Sequence, residues 1–411
     1  MIRVTLICVC LAVASIEGAF PNSILIRGAR VHTVTDKGTL ERTDVLVRDG
    51  RIVSVGSGLA VPADAQIFEA QNRPLTPGLF GGLSQLGLVE VSIETSTDDA
   101  GFSPGAPSWQ PQWRPEFDVM PAYNPHSTLV PITRIEGFTW TVLRPYSDSF
   151  IAGQGCAVTL DGSVDALLAG SRSLFINLGG GGKSEGRAAQ YMLLEQAIDE
   201  VHASVPPDDR SLLYAAGRQA LKPYLAGGRV VIAVDRAVDI SRAIAFARRH
   251  GMKPVIAGGT EAWRVANELA REKVPVILDP LANLPMTFDM LGARLDNAAL
   301  LHAAGVAVVF STGESHNARR LRQIAGNAVA HGLPWDVALA ALTATPAQVF
   351  GLSSTRGHIA AGEVADLVLW SGDPLEVDTA AEQVWIAGRA LDMRSRQTLL
   401  RDRYAERLEA R

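Results

Sequence analysis

Apolar and polar residues alternate with a period of two near both ends of the chain. Residues 24–34, 43–56 and 65–70 are short β-rich runs broken by turns, with an Asp49-Gly50 hairpin signal inside the second. Residues 365–375 and 382–392 repeat the pattern near the other end. Together they predict one β-domain built from both ends. Between them, apolar runs of strand length alternate with helical stretches, the sequence form of repeated βα units around a parallel sheet. Strands are expected at about 75–84, 139–144, 156–160, 173–178, 230–235, 254–258, 275–279 and 306–312. Helices are expected at about 186–202, 211–225, 239–250, 261–273, 318–331 and 335–349. Eight strands close a barrel, so the pattern predicts an α/β fold, a (β/α)8 barrel whose functional groups lie at the C-terminal strand ends. The long proline- and aromatic-rich stretch from Asp99 to Pro125 is either a lid over that face or an insertion packing its own aromatics.

Composition narrows the function. The 411 residues are 47% hydrophobic and 20% charged, with a net charge of -5. No block of like charge provides a footprint for nucleic acid or an anionic membrane. The first residues carry one basic group, Arg3, then an apolar run from Val4 to Ala14 and small residues to Ala19. That run is short for a membrane anchor and reads as an export signal over 1–19, placing the mature protein in the periplasm or outside the cell with no membrane span. Cys8 and Cys10 leave with it, so Cys156 alone remains and neither an internal disulfide nor a thiolate metal site is expected.

Two strings flank the expected barrel. Thr76-Pro77-Gly78-Leu79-Phe80 resembles the turn by which amidohydrolase-superfamily chains pass from a β-domain into the first barrel strand. Gly357-His358-Ile359-Ala360-Ala361-Gly362-Glu363-Val364-Ala365-Asp366-Leu367-Val368-Leu369 is similar to the segment by which they return. Tyr123-Asn124-Pro125-His126-Ser127, Glu136-Gly137-Phe138-Thr139, Ile151-Ala152-Gly153-Gln154-Gly155 and Ala344-Thr345-Pro346-Ala347-Gln348-Val349-Phe350-Gly351 resemble its imidazolonepropionase-like branch. The resemblance implies a TIM barrel over 76–351, a composite β-sandwich from 20–75 with 352–395, and a C-terminal helix over 396–411.

It also implies hydrolysis of non-peptide carbon–nitrogen bonds, as in cyclic amides and imides, by water acidified on one or two divalent metals such as zinc. Such proteins hold the metal with an H-x-H pair ending the first strand, histidines ending the fifth and sixth, and an aspartate, also general base, ending the eighth. Here those positions fall on Leu83, Gln85, Ala233, Gly258 and Gly313, none of which is an imidazole or a carboxylate. No metal or other cofactor is therefore expected, and the frame reads as a pseudoenzyme. What remains near the expected mouth is Glu314, His316, Asp235, Glu261 and Asp279. Glu314 with His316 could form a metal-free acid/base couple, or Glu314 could pair with Arg319 or Arg320 while His316 caps the following helix. The run Asn177-Leu178-Gly179-Gly180-Gly181-Gly182-Lys183-Ser184 approaches a phosphate-binding loop but has Asn177 where the first glycine is required. Ser84 and Cys156 lack the local context of nucleophiles.

Three functions follow. The chain is a non-catalytic partner or scaffold for a metal-competent amidohydrolase subunit, a hydrolase of carbon–nitrogen bonds by atypical chemistry, or a module binding a small molecule in the barrel mouth.

Overall fold

The computed structural model describes residues 23–102, 113–146, 149–180, 186–208, 210–313 and 315–409. The expected export signal lies outside the described residues, as does Glu314. No helix among the described residues is long and apolar enough to cross a membrane.

The chain begins with β1 (Ser23–His32), β2 (Thr39–Arg48), β3 (Arg51–Gly56), β4 (Ala65–Glu69) and β5 (Pro74–Pro77). β1, β2 and β3 form an antiparallel meander. Asp49 and Gly50 both adopt positive φ, 51° and 75°, the geometry of the tight hairpin that an Asp-Gly pair favours.

The barrel strands follow: β6 (Leu79–Ser84), β7 (Phe138–Leu143), β8 (Ile151–Gly155), β9 (Ala157–Thr159), β10 (Ser173–Asn177), β11 (Arg229–Val234), β12 (Lys253–Gly258), β13 (Val276–Leu278) and β14 (Val308–Phe310). β8 and β9 are two halves of one run that breaks at Cys156. β6 and β7 are parallel, as are β10 through β14. The β8–β9 run is reversed, pairing antiparallel with β7 through β9 and with β10 through β8. The repeated βα pattern predicted a parallel strand here. The connection 144–150 explains the reversal, because a parallel crossover needs roughly a dozen residues or more while a reverse turn needs few. A Cβ at Gly155 would lie 2.0 Å from the Leu143 carbonyl oxygen, so the returning strand also needs a residue without a side chain at that point.

Helices α1 (Leu129–Arg134), α2 (Arg187–His202), α3 (Ala215–Leu225), α4 (Ala237–Arg249), α5 (Ala266–Arg271), α6 (Asn297–Ala303), α7 (Leu321–Ala330), α8 (Trp335–Ala340) and α9 (Ala344–Val349) come between and after these strands. The helix expected over 335–349 is thus divided. Thr343, at φ -135°, leaves the helical conformation, and its hydroxyl donates to the Leu339 carbonyl. Alternate strand residues divide the core. Phe80, Leu83, Trp140, Val142, Phe175, Val231, Val255, Ile277 and Val309 fill the barrel interior. Ile232, Ile256, Val276 and Leu278 pack outward with helix residues such as Ile240, Leu269 and Leu301.

The chain then returns through β15 (Leu367–Trp370), β16 (Ala381–Ile386) and β17 (Arg389–Ala390), and closes with α10 (Arg396–Glu409). β15 pairs with β5, so strands from both ends share one sheet and the β-sandwich domain is composite. The two flanking motifs meet at this junction. The Gly78 amide donates to the Asp366 carbonyl at 2.8 Å, and the Trp370 indole donates to Thr76 Oγ1 at 2.8 Å. The Asp366 carboxylate is paired with Arg356 and accepts the Ala387 amide at 2.9 Å. A Cβ at Gly78 would lie 2.2 Å from Thr139 Oγ1, which fixes glycine there.

Breaking a buried pair by deleting one partner strands the other charge. Asp366→Ala should lower unfolding free energy by about 3–5 kcal/mol in urea titrations, and adding Arg356→Met should recover a substantial part of that loss. Equal stability of the single variant and the wild type would remove the pair from this role.

Candidate functional site at the barrel mouth

Strand alternation builds the mouth from the interior outward. Two residues beyond Leu83, Val142, Phe175, Ile277 and Val309 come Gln85, Arg144, Asn177, Asp279 and Ser311, and four beyond Val231 comes Asp235. An apolar plug is therefore crowned by a polar rim at the C-terminal strand ends.

On one side, a cavity of about 470 Å³ is lined by Asp235, Gly258, Thr260, Asp279, Leu281 and Met290, among others. Asp279 also lines a neighbouring cavity of about 490 Å³ that contains Thr312, Asn317 and Arg320. Asp235 Oδ1 accepts the Thr260 hydroxyl at 2.7 Å and its amide at 3.2 Å. Burial nevertheless pushes the Asp235 carboxyl above the ordinary carboxylate range, and the negative charges of Asp289 and Glu261 act in the same direction. Gly258 has φ 86°, and a Cβ there would lie 2.8 Å from Asp235 Oδ1, so the bare backbone makes room for the carboxylate. Asp279 Oδ1 accepts the Leu281 amide at 2.9 Å.

On the other side, Ser311 ties the first and eighth strands together, its Oγ accepting the Leu83 amide at 2.9 Å. Gln85 receives similar support, its amide donating to Ser315 Oγ at 2.7 Å. Leu83 is buried in the barrel plug and Ala233 is partly exposed above it. Gly313, at φ 71°, faces the Arg144 guanidinium, with Nη1 3.9 Å from the place a Cβ would occupy.

Other expected site residues serve the frame. Glu261 Oε1 accepts the Gly292 amide at 2.9 Å and Oε2 the Ala237 amide at 3.2 Å, so this carboxylate holds the start of α4 against a neighbouring loop. His316 Nε2 lies 3.1 Å from the Glu90 carbonyl oxygen, so that nitrogen carries a proton and donates it. Its expected partner Glu314 lies outside the described residues, and Arg319 bonds Gln397. Cys156 is buried, which pushes its thiol up to about 12 and leaves it inert. Ser84 is buried, its hydroxyl accepting the Leu86 amide. In the glycine-rich run, residues 181–184 lie outside the described residues, and the Gly180 amide donates to Asp289 at 2.7 Å.

Of the long loop, residues 103–112, Trp109 among them, lie outside the described residues. Trp113 is buried edge-on against Phe150, and Tyr123 is buried too, so this part packs its own aromatics. A different segment projects from the rim. Leu284, Met286, Phe288 and Leu291, in the loop after β13, are 67%, 80%, 88% and 64% exposed.

Arg144 was missed by sequence reasoning, although it ends the expected second strand. The search for imidazoles and carboxylates at strand ends passed over a guanidinium. Among the described residues, no three or more His, Cys, Asp or Glu side chains are grouped as a metal ion requires.

Residues 305–391 match the sequence model of the amidohydrolase family. Across 90% of the chain, the fold superposes on the whole of a solved amidohydrolase from Thermotoga maritima, with a TM-score of 0.76 at 23% identity. The fold is thus that of solved amidohydrolases, and one segment of the chain resembles the family in sequence. An adenosine deaminase from Xanthomonas campestris with bound zinc shares the fold at a TM-score of 0.54 and 16% identity, over 94% of this chain and 99% of that one. Curated relatives match over short stretches. The amidohydrolase tasK of Hapsidospora irregularis is 38% identical over 92 residues, or 22% of this chain, and a dihydroorotase of Mycobacterium tuberculosis is 45% identical over 56 residues, or 14%. The chain spans only 9% and 12% of those relatives' lengths.

Asp235 gives this barrel mouth a pH signature. A carboxyl raised in the native state binds more protons than in the unfolded chain, so its contribution to stability falls as pH rises from the ordinary carboxylate range through the raised value. Asp235→Asn keeps an oxygen for Thr260 and removes the charge. The variant should melt higher than wild type at neutral pH, with the gap closing as pH falls below about 4, where the carboxyl becomes protonated in both states. A gap independent of pH in calorimetry would refute the assignment.

Proposed function

We propose that this protein is a catalytically degenerate amidohydrolase, related to hydrolases of non-peptide carbon–nitrogen bonds, that acts as a non-catalytic partner or scaffold for a metal-competent amidohydrolase subunit. The observation that carries this reading is the set of side chains at the strand ends: Leu83, Gln85, Ala233, Gly258 and Gly313 stand where the imidazolonepropionase-like branch would hold its metal. A tight divalent site needs three or four converging imidazole, thiolate or carboxylate donors. The exposed apolar loop carrying Leu284, Met286, Phe288 and Leu291 supports the partner role, because contiguous apolar surface at a rim marks an interaction site. The reading places the protein outside the cytoplasm, following the export signal expected over 1–19.

One observation favours a second reading, atypical metal-free hydrolysis. Asp235 is a carboxyl raised by burial beside a cavity, the condition of a general acid or base.

The discriminating measurement is elemental analysis combined with assay. The protein purified from its native host should contain no stoichiometric zinc, keep its melting temperature in chelator, and bring down a second amidohydrolase. One retained equivalent of metal with chelator-sensitive turnover of cyclic amides or imides would overturn the proposal. Metal-free turnover abolished by Asp235→Asn would favour the second reading.

A further inference from the structure

A groove between the β-domain and the outer helix α8 has no part in the proposed function. Residues alternate along β1, so Arg30 and His32 face away from Ala29 and Val31, which are buried in the β-domain core. Thr39 on β2 is the strand partner of His32, with Oγ1 3.0 Å from His32 Nδ1. Trp335, at the start of α8, covers this face, its ring centroid 4.8 Å from that of His32. Asp373, in the loop after β15, fixes the ring by accepting the Trp335 indole N–H at 2.9 Å, and it also accepts the Leu375 amide at 2.9 Å. Two cavities adjoin this aromatic pair. The larger, about 450 Å³, is lined by Arg30, Asn72, Arg73 and Asp373 among others. The smaller, about 240 Å³, is lined by Val34, Asp336, Val337 and Leu339 among others. His32, Thr39 and Trp335 line both, so the two form one groove, and none of its residues lines either mouth cavity.

The two halves differ in chemistry. Glu41 holds Arg30 at Nε, one of its five N–H donors, and Glu382 pairs with Arg73; neither glutamate lines the groove, so both carboxylates fix the guanidiniums from outside it. In the smaller cavity Asp336 brings the opposite charge beside Val34, Val337 and Leu339. Burial lowers the His32 imidazole below its ordinary range, so the neck between the halves is uncharged at neutral pH.

We infer that this groove binds a short apolar peptide in extended, zwitterionic form, its carboxylate on Arg30 and Arg73 and its ammonium on Asp336. A guanidinium matches a carboxylate in a planar, two-point pair. Strands rise about 3.3 Å per residue, so the run from Arg30 to the turn at Val34 extends on the order of 10 Å, the length of roughly three extended residues. The side chains of such a peptide meet the His32–Trp335 pair and the hydrocarbon of Val337 and Leu339. A ligand carrying only one of the two charges leaves the other end of the groove without a counterpart. The site is independent of whether the mouth is catalytic.

The experiment titrates three forms of one tripeptide, Leu-Ala-Leu, calorimetrically into the full-length protein: the free peptide, its N-acetyl derivative and its C-terminal amide. The free form should bind saturably, and each blocked form should be weaker by about tenfold or more. Arg30→Met should weaken the free peptide by at least about tenfold and abolish its advantage over the amide, because the carboxylate has lost its partner. Asp336→Asn should abolish the advantage over the N-acetyl form in the same way. The Arg30–Glu41 pair is exposed, so its loss costs little stability. Should either variant not fold, the three peptides on the wild type decide alone. No saturable binding of the free peptide, equal affinities for all three forms, or binding that both variants leave unchanged would overturn the inference.

Discussion

The fold depends on the chain leaving and re-entering one β-domain at a single point. Gly78 and Asp366 are almost three hundred residues apart in sequence, yet they share a backbone hydrogen bond, and the buried Arg356–Asp366 pair and the Trp370–Thr76 bond lock the same junction. Closing so long a loop is entropically costly, though the cost grows only slowly with length. A dense cluster of buried polar contacts at the closing point makes the register of β5 against β15 unambiguous. Only Gly78 separates the end of β5 from the start of β6, so the junction also sets the position of the first barrel strand and of the rim above it.

That rim is one layer thick and rests on an apolar plug. Phe80, Trp140, Phe175 and Val231 pack together in the interior below those residues. This separation lets the strand-end groups vary while the barrel stays intact: rim groups and folding groups occupy different layers. The reversed β8–β9 run makes the same point. Turning one strand around changes the connections on the outside, while Ala152 and Ala157 still contribute to the interior cluster.

Much of this was legible in the sequence because periodicity reports burial. The composite β-domain follows from period-two runs, and the barrel strands from apolar runs of strand length alternating with helical stretches. The direction of the third strand was not legible, since alternation is the same whichever way a strand runs and only the shortness of the connection 144–150 betrays it. Site residues were legible by position but not by role. Glu261 follows a strand end as an active-site carboxylate would, yet both its oxygens are taken by backbone amides, a use that depends on where Ala237 and Gly292 come to lie. Asp235 is the reverse case: its burial arises from Thr260 and the bare backbone of Gly258 closing around it.

Asp235 and Arg144 stand on the same rim, and each is in a condition that disfavours its charged form. The two do not cancel, since no carboxylate of the described residues acts on the guanidinium. At Asp235 an apolar residue of similar volume would fold at lower cost, because burial disfavours the carboxylate more than the two hydrogen bonds from Thr260 favour it. Local choices that work against the fold without compensation within it mark places where a sequence serves something besides folding.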